Sequence, residues 1–287
     1  MSKEDCSPDA WTVLTAARAA GKNRGISCMH LLMGMLQDPA SRVGRRLSGI
    51  SFKVRDDDQR SVSSANPAPA ERACSSNVSK TLDRARAAAT EGARKVTSDD
   101  LLDAFVKTGG GSVGEALRAR GIVLEALVSD LFLDDGRIDR NRFDGSGQRV
   151  IDGMAEFVKG KRHGVMGRRH LLFGMLADSG GEMSKRLFEQ GIPLSRLTGL
   201  LHVRMPAHSS SGDRGGGEPG LSTDLVRVLC DAERRMKEDH RERIGDVDLL
   251  ESFLADGGGA AGEFLVKEGV DIGLLMRAKG DPRTKGG

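Results

Sequence analysis

The sequence predicts an all-α fold, and three observations support this prediction. Aromatic residues are scarce, with nine Phe, one Trp and no Tyr among 287 residues, too few for the strands of a β-sandwich or barrel. Apolar residues recur at helical spacing, as Val13, Leu14 and Ala17 do near the N-terminus. Glycine is frequent, with 38 residues, and many of these glycines stand at the ends of apolar segments, where glycine commonly ends helices.

A seven-residue motif occurs four times along the chain and indicates an internal repeat. Two copies read HLLMGML and HLLFGML, and the other two read DLLDAFV and DLLESFL. Each copy is followed by a Gly-Ile or Gly-Val pair, which is typical of a helix end and a buried residue after it. The motifs begin at His30, Asp100, His170 and Asp248, and the glycines that follow them are Gly49, Gly121, Gly191 and Gly269.

Each repeat predicts four helices in the same order. The first helix follows a residue whose side chain can cap it, and the second begins at the motif. The third ends at the glycine, and the fourth comes after it. Four repeats therefore predict about sixteen helices in all. The predicted capping residues are Ser7, Ser75, Asp144 and Ser222.

The repeats group in pairs, which predicts two tandem domains, each a pseudo-duplicated four-helix repeat with about eight helices. The first motif is most similar to the third and the second to the fourth, as expected if a two-repeat domain was duplicated. We expect the domains at residues 1–136 and 140–280, followed by a flexible tail at 281–287. Linkers are expected between the repeats of each domain, at residues 61–75 and 205–220.

Charge, cysteine content and hydropathy argue against several functional classes. The net charge is only +3, and few aromatic residues are present to stack on bases, so nucleic acid is disfavoured as a partner. The four cysteines form no C-x-x-C pair, so we expect free thiols and no metal site. No apolar run suits a signal peptide or a membrane span, which predicts a cytoplasmic protein without a membrane partner. We predict no cofactor.

The four motifs in register, with their capping residues and glycine pairs, resemble the N-terminal domain of Clp ATPases, also called the Clp repeat domain. The resemblance extends over nearly the whole chain, as two such domains in tandem. It implies a module that docks substrates or adaptors for a protein-unfolding chaperone. The sequence contains no G-x-x-x-x-G-K-[S/T] phosphate loop, since its candidate Gly-Lys pairs continue with Asn23 and Arg162. It thus resembles Clp N-terminal domains without the ATPase modules.

This resemblance implies a non-catalytic protein whose partners are Clp substrates, adaptors, or a Clp ATPase and protease. It would act as a chaperone adaptor in regulated proteolysis and the stress response, delivering, competing for or sequestering ligands. The alternative is a regulatory or nucleic-acid-associated protein that uses the helical scaffold for another partner. No catalytic constellation is recognisable, because nothing in the sequence places His30 or His170 beside a nucleophile. We predict a helix-start or packing role for both histidines.

The resemblance also implies one candidate ligand site. Some members of the family bind phosphorylated arginine through an acid just before the second-helix motif and a Ser or Thr that caps the preceding helix. Only the second repeat has both residue types, in Ser75, Ser98 and Asp99. In the third repeat Arg169 takes the place of the acid and would repel a guanidinium group.

A second candidate site is a basic cluster at the predicted start of the second helix of the third repeat. It consists of Lys161, Arg162, Arg168 and Arg169. Clustered positive charge of this kind would dock an acidic or phosphate-bearing partner.

Overall fold

A computed structural model describes residues 1–21, 26–37, 71–119, 122–133, 136–205 and 219–277, with the side chains of residues 71–75 outside that description. The chain divides into two compact units, Met1–Ile138 and Asp139–Gly287. The predicted domains at 1–136 and 140–280 stay a prediction, because compactness does not show that either part folds alone. Residues 61–70, 206–218 and 281–287, from the predicted linkers and tail, lie outside the described residues.

The first unit contains the first two repeats. In α1, residues Ala10, Val13, Leu14 and Ala17 are buried, which is the face that the helical spacing predicts. Helix α1 packs on α2, and α3 packs on α4, so each repeat pairs its own first and second helices. The described helices are α1 (Pro8–Gly21), α2 (Cys28–Leu36), α3 (Glu71–Glu91), α4 (Ser98–Lys107) and α5 (Gly111–Ala119), followed by a 3-10 helix at Leu124–Leu127.

The second unit contains the third and fourth repeats, and each has the four helices that the sequence predicts. The third repeat has α6 (Gly145–Lys161), α7 (Arg168–Ala177), α8 (Glu182–Glu189) and α9 (Leu194–Arg204). The fourth repeat has α10 (Thr223–Glu238), α11 (Asp246–Leu254), α12 (Gly259–Lys267) and α13 (Ile272–Met276). A 3-10 helix, Arg140–Arg142, precedes α6.

The predicted all-α class is confirmed, although the described residues include two very short strands that the sequence pattern did not indicate. Strand β1 (Val165–Met166) precedes α7 and pairs in parallel with β2 (Gly220–Leu221), which precedes α10. Two residues are too few to show the alternation by which a strand is recognised in a sequence. The sheet joins the two repeats of the second unit at the starts of their helices.

Isolated parallel bridges occupy the corresponding places elsewhere. Cys6, before α1, pairs with Val96, before α4, and Phe143, before α6, pairs with Ile244, before α11. Each bridge joins the entry to a first helix of one repeat with the entry to a second helix of the other repeat in the same unit. Both units therefore use the same connection between their repeats.

The predicted helix caps are confirmed in the second unit. The Asp144 side chain accepts hydrogen bonds from the N–H groups of Ser146 and Gly147, and Ser222 Oγ accepts one from Leu225. In the first unit the prediction for Ser75 is wrong, since α3 begins at Glu71 and Ser75 therefore lies inside the helix.

Ser7 has a second role besides its place before α1. Its Oγ is 3.5 Å from the Ala10 nitrogen, at the limit of a hydrogen bond, but donates to the Val96 carbonyl oxygen at 2.9 Å. The Ser7 N–H also donates to that oxygen, at 2.9 Å. Ser7 thus connects the two repeats of its unit more firmly than it caps its own helix.

Two of the predicted glycine helix ends have the left-handed backbone that favours glycine. The φ angles are +71° at Gly191, after α8, and +89° at Gly269, after α12. The equivalent Gly49 and Gly121 lie outside the described residues.

The glycine inside the HLLxGML motif allows the first and second helices of a repeat to touch. A Cβ atom on Gly174 of α7 would lie 2.2 Å from the Val150 carbonyl oxygen of α6, and one on Gly34 of α2 would lie 2.4 Å from the Val13 carbonyl oxygen of α1. Real Cβ atoms cannot approach so closely. These glycines therefore determine the spacing between the paired helices, and through it the position of the α7 N-terminus.

Candidate functional site

The first residue of each motif has the same role at the start of its repeat's second helix. It is the third residue of that helix, and its side chain accepts a hydrogen bond from the N–H of the N-cap residue, as in a capping box. This confirms the predicted helix-start role of the two histidines and explains why Asp alternates with His, since both offer an acceptor. The pairs are His30 Nδ1 with Ser27 (3.2 Å), Asp100 Oδ2 with Thr97 (2.8 Å), His170 Nδ1 with Gly167 (2.9 Å) and Asp248 Oδ2 with Gly245 (2.8 Å).

In repeats two and four this carboxylate also forms an ion pair with an arginine from the loop before the helix. Arg94 Nη2 donates to Asp100 Oδ1 at 2.7 Å, and Arg241 Nη1 donates to Asp248 Oδ2 at 2.7 Å. Burial would raise the pKa of Asp100, but the hydrogen bonds from Arg94 and Thr97 outweigh burial and lower it. The Asp100 carboxylate is therefore charged, and in both repeats the arginine helps to hold the loop against the helix start.

In the third repeat a second histidine takes the place of the arginine. His163 Nδ1 and His170 Nε2 are 2.7 Å apart. Since His170 Nδ1 accepts from Gly167, its Nε2 carries the proton and donates to His163 Nδ1. Burial, followed by the effect of His163, lowers the pKa of His170 from 6.5 to about 4. His170 is therefore held as a neutral imidazole, whereas repeats two and four have an Arg–Asp ion pair at this position.

Two phenylalanines and a third histidine surround the histidine pair. The rings of Phe157 and Phe173 stack with centroids 3.9 Å apart, and His202 lies edge-on to them at 5.0 and 5.1 Å. Lys161 Nζ donates to the His202 carbonyl oxygen at 3.0 Å. Within the described ranges, no group of three or more His, Cys, Asp and Glu could hold a metal ion. The histidines of this cluster thus contribute packing and hydrogen bonds.

The residues of the candidate phosphoarginine site lie around the start of α4. Ser98 is the first residue of α4, and its N–H donates to Asp9 Oδ2 of α1 at 2.9 Å. Asp99 follows it, is exposed, and has no side-chain partner in the described part of the chain. Ser75 lies inside α3 and its side chain is not among those described. Two of the three residues are therefore adjacent, and their use as a binding site stays a prediction.

Asp9 places a carboxylate where a bound anion would meet the N-terminus of α4. Burial raises the pKa of Asp9, but hydrogen bonds with Ser7 and Ser98 outweigh it and lower the pKa to about 2. The Asp9 side chain is consequently charged at neutral pH, and it accepts the hydrogen bond from the Ser98 N–H. A phosphate group at this helix end would have to compete with it.

The second unit uses a hydroxyl group at the corresponding place. The N–H of Asp246, the first residue of α11, donates to Ser146 Oγ of α6 at 3.1 Å. The Asp246 carboxylate in turn accepts from the Glu182 N–H at the start of α8, at 2.6 Å. The first N–H group of α11 therefore has a partner within the protein, as that of α4 does.

In the predicted basic cluster, two residues have partners within the protein and two are exposed. Arg168 is mostly buried and forms a two-pronged ion pair with Asp256, at 2.5 and 2.6 Å. Lys161 donates to a backbone carbonyl group, as described above. Arg162 and Arg169 are exposed and have no side-chain partner within the described residues. Only these two are available to a ligand without breaking an existing contact.

Arg169 lies at the mouth of a small cleft between α9 and α12. The cleft has a volume of about 90 Å³, with buried apolar side chains in its floor and charged side chains at its rim. Arg204 from the rim lies over the Phe264 ring, 5.1 Å from its centroid, and pairs with Glu268 at 2.9 Å. The lining residues are Arg169, Leu201, Arg204, Met205, Ala260, Glu263, Phe264 and Lys267.

Sequence reasoning identified Arg169 but missed the other residues of this cleft, and it also missed Asp9. Asp9 and Ser98 are 89 residues apart, and Arg204 and Glu268 are 64 apart, so no local pattern connects them. The internal repeat was the one usable signal, because it predicts that helices at the same position in different repeats have similar surroundings.

Residues 142–268 match the family model of the Clp repeat (R) N-terminal domain. The second unit is therefore similar to a Clp repeat domain over this range. The matched range begins just before α6 and ends just after α12, so it includes most of repeats three and four and the whole of the cleft. The predicted resemblance to Clp N-terminal domains is confirmed for this unit.

A solved structure, the N-terminal domain of the caseinolytic protease associated chaperone ClpD from Arabidopsis thaliana, also matches the chain. The sequence identity is 19% and the TM-score is 0.39, with 49% of this chain and 94% of that chain covered. No curated protein sequence matches. Among the described residues, no helix is both long and apolar enough to cross a membrane.

Proposed function

We propose that this chain is a non-catalytic protein-binding module that works with a Clp chaperone system. The observation that supports the proposal is the match of residues 142–268 to the Clp repeat (R) N-terminal domain. Its partners would be Clp substrates, adaptors, or the Clp ATPase and protease. By binding them, the chain would deliver, sequester or compete for ligands in Clp-dependent proteolysis.

The internal repeat supports a parallel role for the first unit. Its α2 and α4 begin with the same capping arrangement as α7 and α11, and the bridge between Cys6 and Val96 corresponds to that between Phe143 and Ile244. We therefore propose that residues 1–136 form a second Clp repeat domain and that two docking modules lie in tandem. A cytoplasmic location and a role in the stress response belong to the same proposal.

Degradation of a labelled client by a Clp ATPase and its protease tests this function. We expect the purified chain to change the degradation rate in proportion to its concentration. An increase indicates delivery, and a decrease indicates competition or sequestration. The same labelled client should bind the chain directly in fluorescence anisotropy. If no client of the Clp ATPase binds the chain and no degradation rate changes, the proposal is wrong.

A control variant shows whether the second unit is responsible. Gly174→Leu places a large side chain against the Val150 carbonyl oxygen and should disrupt the contact between α6 and α7. We expect this variant to lose any effect that depends on the second unit. Gly160→Ala lies in the same repeat with no atom within 4 Å of the new Cβ and should keep the full effect.

A further inference from the structure

We propose that the cleft between α9 and α12 docks an acidic protein segment and receives one apolar side chain of that segment. This inference rests on the proposed protein-binding function and names the chemistry of the partner. The cleft lies within the matched Clp repeat region of the second unit.

The size of the cleft indicates what can enter it. Pockets for cofactors and small molecules have volumes of roughly 300–1,000 Å³, whereas this cleft has about 90 Å³. Its floor is formed by Leu201, Met205 and Phe264, all buried, so the space is suited to an apolar group. A single aliphatic side chain presented by a protein segment is the occupant that this space suits.

The charges at the rim indicate what flanks that side chain. Three cations, Arg169, Arg204 and Lys267, surround the opening, against one lining carboxylate, Glu263. Arg204 is already paired with Glu268. Arg169 and Lys267 are exposed and have no side-chain partner among the described residues, so both can bind an incoming carboxylate at little cost. A segment with acidic residues beside its apolar residue is therefore complementary to the cleft.

Fluorescence anisotropy with a labelled peptide tests the proposal on the full-length chain. The probe has one leucine with two aspartates on either side. We expect saturable binding that weakens as salt is added, because exposed charges are screened. Replacing the leucine by serine, or the aspartates by lysines, should abolish binding. A probe that does not bind, or that binds equally well after either replacement, overturns the proposal.

Protein variants locate the binding in the cleft. Arg169→Glu reverses a rim charge and should weaken binding by about tenfold, and Ala260→Trp should block the opening and weaken it at least as much. Lys185→Glu makes the same charge reversal on an exposed residue of α8, outside the cleft lining, and should alter binding by less than about twofold. Circular dichroism confirms that each variant is folded. If Lys185→Glu weakens binding as much as Arg169→Glu does, the binding comes from the overall charge of the unit and the proposed site is wrong.

The degradation assay separates failure of this inference from failure of the proposed function. If Arg169→Glu and Ala260→Trp abolish peptide binding but leave the effect of the chain on Clp-dependent degradation intact, the cleft is not the docking site for Clp clients and the general function stands. If the peptide binds as expected but the chain never alters degradation, the cleft assignment stands and the Clp-related function is wrong.

Discussion

His163 Nδ1 and His170 Nε2 are hydrogen-bonded at 2.7 Å. At the corresponding position, repeats two and four have an Arg–Asp ion pair. In all three repeats the later residue of the pair also caps its helix through the N-cap N–H. The repeats thus retain one hydrogen-bond arrangement and differ in whether it is charged. Several consequences of this difference can be measured.

Replacing the two histidines by Arg and Asp should give the third repeat the same ion pair that repeats two and four have. In His163→Arg/His170→Asp, the Asp can accept from the Gly167 N–H and pair with the new Arg, as Asp248 does with Arg241. We expect the free energy of unfolding of the double variant to remain within about 1 kcal/mol of the wild type. His170→Asp alone leaves a partly buried carboxylate without its arginine and should cost about 2–3 kcal/mol. A double-mutant cycle by urea unfolding checks this, and purely additive costs would contradict the pairing.

The buried, neutral His170 should make the second unit sensitive to mild acid. The pKa of His170 is about 4 in the folded protein and 6.5 when unperturbed, so between these values the unfolded chain binds more protons. Stability contributed by this group is therefore full above pH 6.5 and declines as the pH falls towards 4, by a total on the order of 3 kcal/mol. Urea unfolding followed through the NMR signals of the histidine rings measures the decline.

A matched variant isolates the contribution of His170. His170→Asn keeps a side-chain acceptor for the Gly167 N–H but does not titrate. We expect it to remove most of the pH dependence between 6.5 and 4, while the loss of stability below about pH 4 persists. That remaining loss comes from carboxylates such as Asp144, whose pKa burial raises but hydrogen bonds, chiefly from Ser146 and Gly147, lower overall. An unchanged pH dependence would exclude His170 as its source.

Two glycines of the third repeat should respond in opposite directions to the same substitution. Gly174→Ala requires α6 and α7 to separate, because the new Cβ would lie 2.2 Å from the Val150 carbonyl oxygen, and should cost about 2–3 kcal/mol. Gly160→Ala in α6 meets no atom within 4 Å and should stabilise by about 0.5–1 kcal/mol. Thermal unfolding of both variants tests the comparison. Equal effects would show that the contact between the helices does not determine the need for glycine.

The candidate phosphoarginine site makes a prediction about Asp9 as well as Asp99. Because the charged Asp9 carboxylate occupies the Ser98 N–H, we expect Asp9→Asn to strengthen binding of free phosphoarginine. Asp99→Ala should weaken it by removing the carboxylate that would accept from the guanidinium group. Isothermal titration calorimetry measures both, with Asp103→Ala as the control, since Asp103 lies on the same helix and pairs with Lys107. Equal affinities in wild type and Asp99→Ala would remove Asp99 from the site.

The repeat made some features of the fold and the site predictable. The motif located the starts of α2, α4, α7 and α11, and the glycine pairs located the ends of α8 and α12, because caps and left-handed glycines are local signals. The N-cap prediction for Ser75 was wrong because a single serine is a weak signal when α3 begins earlier, at Glu71. The sequence predicted the basic cluster, but it did not predict that Arg168 is paired while Arg169 stays exposed. The partner of Arg168, Asp256, lies 88 residues away in the chain.

By itself the sequence determined the all-α class, the four repeats and the resemblance to Clp N-terminal domains, because periodicity and recurring motifs are properties of neighbouring residues. Only the tertiary structure decided which charges are available to a partner. Arg168 is held by Asp256, and the N–H of Ser98 is held by Asp9, whereas Arg169 is exposed beside the cleft. The physical reason is that hydrogen bonds and ion pairs between repeats join residues distant in the chain, and their partners follow from helix packing, which no local pattern records.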